Sequence, residues 1–285
     1  MTFLGRIKFI TFIAALLVSV DALAVIKMGV FPRRSPEATQ AAFKPLADKL
    51  SKELGEEVQL VVPKSFKEFW KAVKSNQFDL VHYNQYHYIR SHREQGYRVI
   101  VANEEFGQKK IAGAISVRKD SGINTVADLR GKMIIFGGGK KAMGSYIAPT
   151  AILKQAGLVE GRDYLVNFAS TPPKALLGLM SESGSAAATG DAVIKILQNS
   201  KHSKDVAQMK TLVVGEAYTQ LPWAVSAKVS EEKANKIQAI MTSLVKSAEG
   251  KKVLAAAKVT GFYAVSDNDF SKVREITTYA TGEHY

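Results

Sequence analysis

The stretch IIFGGGKKAMGSYIAP, from Ile134 to Pro149, decides how the rest of the chain is read. Two isoleucines and a phenylalanine lead into three glycines, two lysines and a segment of helical character. A strand, a glycine turn and a helix start, in that order, are the parts of an anion cradle. The first N–H groups of a helix have no intrahelical partner, and the helix dipole puts positive charge there. Gly137 to Ala142 also satisfies G-x-G-x-x-G/A, the dinucleotide signature. It lies mid-chain here, behind an N-terminus that reads as an export signal, and both facts argue against a dinucleotide. The phosphate loop G-x-x-x-x-G-K-[ST] fails, because no Gly stands five residues before Gly139. Two readings stay open: a tight turn with solvated lysines, or a backbone cradle for a small anion or polar ligand.

Outward from this loop the chain alternates strands and helices. On its N-terminal side, VIKMGVF, EVQLVVP, FDLVHYN, YRVIVANEE and IAGAISVRKD read as strands. The segment from Ser35 to Gly55 reads as an amphipathic helix. Ser35 is its cap, Pro36 lies in its first turn, and Phe43, Leu46, Ala47, Leu50 and Leu54 share one face. SFKEFWKAVKSN and YHYIRSHREQG read as further helices. A second cycle starts at TVADLRG, with strands KMIIFGG, DYLVNFAS and SAAATG and helices GSYIAPTAILKQAG, PPKALLGLMSES and DAVIKILQNS. MKTLVVGEAY and LPWAVSAKV are strands again. Helices follow at 230–247, 249–257 and 268–280.

Repeated βαβ order predicts α/β lobes, each a mostly parallel sheet flanked by helices. The two cycles and the returning tail divide the chain into residues 25–106 with 214–285 for lobe 1 and residues 107–213 for lobe 2. Crossings are expected near Glu104 to Gln108 and near Leu212 to Tyr218. Ligands in such folds sit at the carboxyl ends of strands. That rule selects the loops Pro32 to Ser35 with Arg34, His82 to Gln85, Gly137 to Ser145, Ser170 to Pro173, and Thr189 to Asp191.

The N-terminus carries Arg6 and Lys8, an apolar run from Phe9 to Val20, and ALA at Ala22 to Ala24. This is the pattern of a cleaved export signal over residues 1–24, and the run is short for a membrane span. The expected product starts at Val25 and is periplasmic. The chain has no cysteine, which excludes disulfides, thiol catalysis and a lipid anchor on Cys. Net charge is +13, and +12 without the first 24 residues. Such a surplus favours anionic ligands or surfaces. The lysines are scattered, with no arginine-rich arm and no zinc-finger spacing, so nucleic acid is not expected.

No catalytic set emerges. Ser-x-x-Lys at Ser116, Ser230 and Ser243, with SDN at Ser266 to Asn268, imitates part of a penicillin-interacting enzyme, but KTG is absent and the order is wrong. His82, His87 and His92 are spaced by five, which does not stack them on one helix face, so no metal site is expected. The run HYNQYHY offers Tyr83, Asn84 and Gln85 either as core residues or as a pocket wall of apolar faces with orientable hydrogen bonds. Asp191, after Thr189 and Gly190, is either a helix cap or an acceptor for a ligand donor.

IKMGVFPRRSPEATQAAFKPLADKL, FDLVHYNQYHYI, ISVRKDSGINTVADLRGKMIIFGGG and GSYIAPTAILKQAGL together resemble the exported substrate-binding proteins of phosphate, phosphite and phosphonate ABC transporters. The resemblance implies a two-lobe, type 2 periplasmic-binding-protein fold with a hinge of crossing strands. It implies capture of a ligand by lobe closure and delivery to a permease, with no enzyme activity, no cofactor and a monomeric chain. The alternative partner is a membrane receptor that reads the same closure as a signal. Phosphonate binders place a Tyr where this chain has Phe66 and another at Tyr83. They place a Ser-Thr-Ser run at Ala142, Met143 and Gly144, and a His at Thr171. Only Tyr83 is kept. The expected site is therefore Arg34, Phe66, Tyr83, Asn84, Gln85, Gly138 to Ser145, Thr171, Thr189 and Asp191. Either Lys140 or Lys141 and backbone donors replace the missing hydroxyls, with Tyr83 facing the ligand from lobe 1, or the ligand is a different one.

Overall fold

The computed structural model describes residues 25–181 and 186–285. The export signal expected over residues 1–24 lies outside the described residues. The chain opens with β1 (Ile26–Val30), α1 (Pro36–Leu54), β2 (Val58–Val61), α2 (Phe66–Lys74), β3 (Leu80–His82), α3 (Gln85–Gln95) and β4 (Arg98–Glu104). It crosses through β5 (Lys110–Ile111) to β6 (Gly113–Arg118), β7 (Met133–Phe136), α4 (Ala148–Gln155), β8 (Leu165–Phe168), α5 (Pro172–Gly178), β9 (Ala186–Gly190), α6 (Ala192–Gln198), α7 (Ser203–Val206) and β10 (Met209–Val214). It returns through β11 (Tyr218–Thr219) to β12 (Pro222–Val225), α8 (Glu231–Ser243), α9 (Ala248–Ala257), β13 (Gly261–Ala264) and α10 (Ser271–Thr281).

One sheet has the order β13-β4-β12-β3-β1-β2 and the other β10-β6-β9-β7-β8. Both are mixed. β1 pairs parallel with β2 and β3, and β7 pairs parallel with β8 and β9. β12 is antiparallel to both of its neighbours, β3 and β4, and β6 is antiparallel to both β9 and β10. The expectation of mostly parallel sheets thus holds for strand direction and fails for pairing. Each sheet takes in one strand from the crossings between the sheets, and that strand enters from the opposite end. β5 pairs antiparallel with β11, so the two crossings lie side by side as a short ribbon. Leu212 and Val213 belong to β10, which places the second crossing later than expected.

α1 follows its sequence signals. The Ala38 N–H donates to Ser35 Oγ at 3.3 Å, and Gly55 closes the helix at φ 71°. Phe43, Leu46, Ala47 and Leu50 are buried. α4 does not start as a plain α-helix. Met143–Ile147 form a π-helical turn in which the Ala148 N–H donates to the Met143 carbonyl. Pro149 explains the widening: it has no N–H for the next bond, and its ring would crowd the Ser145 carbonyl in a tighter turn.

Candidate functional site

The stretch that opened the sequence reading forms the loop between β7 and α4. At Gly137 a Cβ would stand 2.4 Å from Pro172 Cα, so only glycine lets the loop pass the start of α5. Gly138 has φ 140°, a conformation that disfavours side chains. Gly137 and Gly138 donate to the carbonyls of Ala188 and Phe136, and Ala142 donates to Gly139. The N–H groups of Gly139, Lys140, Lys141, Met143, Gly144 and Ser145 have no hydrogen-bond partner among the described residues. These unpaired donors, set at a helix start, can bind an anion.

The two lysines differ. Lys140 Nζ donates to Glu160 Oε1 at 2.9 Å and lies over the Tyr146 ring, so it is neutralised rather than presented. Lys141 has no ion pair among the described residues, and its carbonyl accepts from Asn84 Nδ2 at 3.0 Å. Asn84 also caps α3, its Oδ1 accepting from the His87 N–H at 2.8 Å. One side chain thus orders the first turn of α3 and ties it to the loop of the other sheet.

Tyr83 corrects the expectation. It is fully buried, its hydroxyl is 2.7 Å from Ser91 Oγ, and its ring packs against Phe69, Tyr88 and Tyr97. Alternation along β3 sends it into the core behind the sheet. His82, one residue earlier, points the other way and stacks on Trp223 at 4.4 Å. Burial holds the His82 and His87 imidazoles neutral, each down to about 3; Arg33 adds to the effect at His82, Lys141 and Arg90 at His87. His87 Nδ1 is buried without a partner. Its ring stacks with Phe66 at 6.4 Å and lies 5.0 Å from Trp70. Phe66 is 48% exposed at the start of α2.

Arg34 stands after β1, half-buried, with Nη1 unpartnered and its guanidinium 6.0 Å from the Phe43 ring. It lines a cavity of about 10 Å³, room for one water, with Arg33, Thr39 and His82. Burial and then Arg33 lower its pKa, while Glu105 opposes them.

The remaining expected residues are mostly engaged. Gln85 Nε2 donates to the Thr219 carbonyl at 3.0 Å, tying α3 to the crossing ribbon. Met143 is buried, its Sδ 3.9 Å from Thr277 Oγ1 on α10. Thr171 caps α5 through the Lys174 N–H, and Thr189 donates to the Gly190 carbonyl. Asp191 makes no cap; its Oδ1 accepts from the Ala112 N–H at 3.2 Å. Ser145 is buried beside Met143.

Tyr218 was missed by the sequence reading. It lies on β11, 1% exposed, and its hydroxyl has no partner. A Cβ added at Gly144 would stand 3.3 Å from that hydroxyl. Burial and then Asp191 raise its pKa far above the tyrosine range, so it stays a donor. An unpaired phenol in a crossing strand leaves no mark in the sequence; only the tertiary approach to Gly144 reveals it.

Residues 28–270 match the profile of a family described as ABC transporter, phosphonate, periplasmic substrate-binding protein. The binding-protein component of a phosphonate ABC transporter from Pseudomonas aeruginosa superposes with TM-score 0.73 over 90% of this chain and 86% of its own, at 16% identity. PhnD1 of Prochlorococcus marinus, solved with methylphosphonate, superposes with TM-score 0.75 over 88% and 96%, also at 16% identity. At these identities the likeness is one of fold. The tetrathionate sensor histidine kinase TtrS of Salmonella typhimurium is 29% identical over 168 residues, which are 56% of this chain. The match spans 28% of that kinase's length.

Proposed function

We propose, from the premise that the chain belongs to the phosphonate ABC-transporter family of periplasmic substrate-binding proteins, that it captures a small anion in the cleft between its two sheets and hands it to a membrane permease. Lobe 1 is residues 25–106 with 214–285, lobe 2 is residues 107–213, and the β5–β11 ribbon is the hinge. The loop donors carry this reading: six unpaired N–H groups on lobe 2, with Tyr218 beside them and Asn84 and Arg34 contributed from lobe 1. Phe66 and His87 form the wall. Gln85, Thr171, Thr189, Met143 and Asp191 hold the frame rather than touch the ligand. The protein works as a monomeric binder without chemistry or cofactor, after removal of residues 1–24.

A second reading has an observation of its own. The likeness to a tetrathionate sensor kinase supports a role in which the same closure is read by a membrane receptor. In that case the ligand is a sulfur oxyanion.

Native mass spectrometry of protein purified from its host, followed by calorimetry with phosphate, methylphosphonate and tetrathionate, tests both. A retained small anion and at least one saturable titration are expected. A bare polypeptide that titrates with none of the three would overturn the anion reading.

A further inference from the structure

The cations around the cleft fall into two groups with an uncharged aromatic wall between them. On one side, Arg33 lies 5.0 Å from the Phe31 ring, and Arg34 keeps a buried, unpartnered Nη1. On the other, Lys141 stands in the loop whose N–H groups are free, near His87. None of Arg33, Arg34 and Lys141 forms an ion pair among the described residues. Phe31 meets Phe66 at 6.4 Å, and Phe66 meets His87 at 6.4 Å, so two ring-to-ring steps separate the cationic groups. His87 is buried and neutral, and Phe66 offers an exposed apolar face. The wall therefore has no charge with which to meet an anion at its centre.

From this juxtaposition, and resting on the reading of the cleft as the ligand site, we propose that the preferred ligand is an elongated dianion. One anionic head sits at Arg33 and Arg34. The second sits at Lys141, the loop N–H groups and the Tyr218 hydroxyl. An apolar link between them lies across Phe66 and His87. A single-headed oxyanion satisfies one group and leaves the other cations and the aromatic face unused. The loop end does not stand on a helix terminus alone: the Tyr218 hydroxyl, buried and unpartnered, borders Gly144 from the crossing strand. Glu105, near Arg34, partly offsets the charge of the first group.

Calorimetry on the mature chain with two sets of anions tests this. The single-headed set is phosphate, methylphosphonate and methanesulfonate; the two-headed set is succinate, adipate, butanedisulfonate and tetrathionate. A member of the two-headed set should bind about tenfold or more tighter than any single-headed anion, since each head adds charge-assisted hydrogen bonds. Arg34→Gln and Lys141→Ala should each narrow that gap by about tenfold, with Arg34→Lys restoring part of it. Should Arg34→Gln fail to fold, as judged by its melting transition, Arg33→Gln reads the same head. If a single-headed anion binds as tightly as the best two-headed one, the two-headed ligand is overturned and anion capture stands. If no anion of either set binds, both fall together.

Discussion

Removing one oxygen, Tyr218→Phe, pulls stability and binding in opposite directions. The hydroxyl is buried without a partner in a residue that is 1% exposed. Leaving such a group unsatisfied costs about 1–3 kcal/mol. The ring of Phe fills the same space, so the unliganded protein should gain stability. In a chain of this size roughly 1 kcal/mol moves the melting temperature by about 2–4 °C, and the variant should melt higher by about that much. If the hydroxyl serves the ligand, its loss removes a hydrogen bond to a charged acceptor, worth about 1.5–3 kcal/mol. Affinity should then fall by roughly ten- to a hundredfold. Thermal unfolding without ligand and calorimetry with the host-derived ligand give the two numbers. A lower melting temperature together with unchanged affinity would refute the reasoning, because the hydroxyl would then be a satisfied structural group.

Asn84→Ala should cost about 1 kcal/mol through the lost α3 cap, whereas Asn84→Asp keeps the cap and loses only the donor to Lys141; small-angle scattering should show both variants more open, and urea titration should show only the first destabilised. Tyr83→Phe should lower stability by about 0.5–1.5 kcal/mol through its lost bond to Ser91 and leave affinity unchanged; a loss of affinity would return Tyr83 to the ligand. His82 and His87 stay neutral in the fold down to about 3, while in the unfolded chain they take up protons near pH 6.5. The unfolded state therefore binds more protons between those values, and stability should fall as pH drops from about 6.5 toward 3. Denaturant midpoints across that range should show the decline, and His87→Phe should flatten it. N-terminal sequencing of the exported protein should begin at Val25; a retained Met1 on membrane-bound protein would contradict cleavage.

The order of strands and helices was legible because apolar periodicity and caps are local. Ser35, Pro36 and Gly55 mark α1 unambiguously. The insertion of β12 between β3 and β4 was not legible, since LPWAVSAKV carries no mark of its sheet neighbours. In the candidate site, the tight glycine turn was legible because Gly137 and Gly138 serve backbone needs that sequence displays. Tyr83 was expected to face the ligand, but at the end of a three-residue strand one step of alternation decides which face a side chain packs on, and Tyr83 packs behind the sheet while His82 stacks on Trp223. Lys140 read as a free cation because Glu160, twenty residues away, becomes its partner only once β8 is laid beside β7. The π-helical turn was hidden because Pro149 announces a helix start without announcing the width of the turn before it.

The most direct test is a crystal structure of the protein with the small molecule it retains from its own host. Capture by the loop predicts an anionic group within hydrogen-bonding distance of the N–H groups of Met143 to Ser145, with Tyr218 donating to it and Phe66 in contact with the rest of the ligand. The ligand found instead in the open groove of about 520 Å³ lined by Tyr88 of α3, Arg98 of β4 and Gln238 of α8, with the loop donors still free, would contradict it.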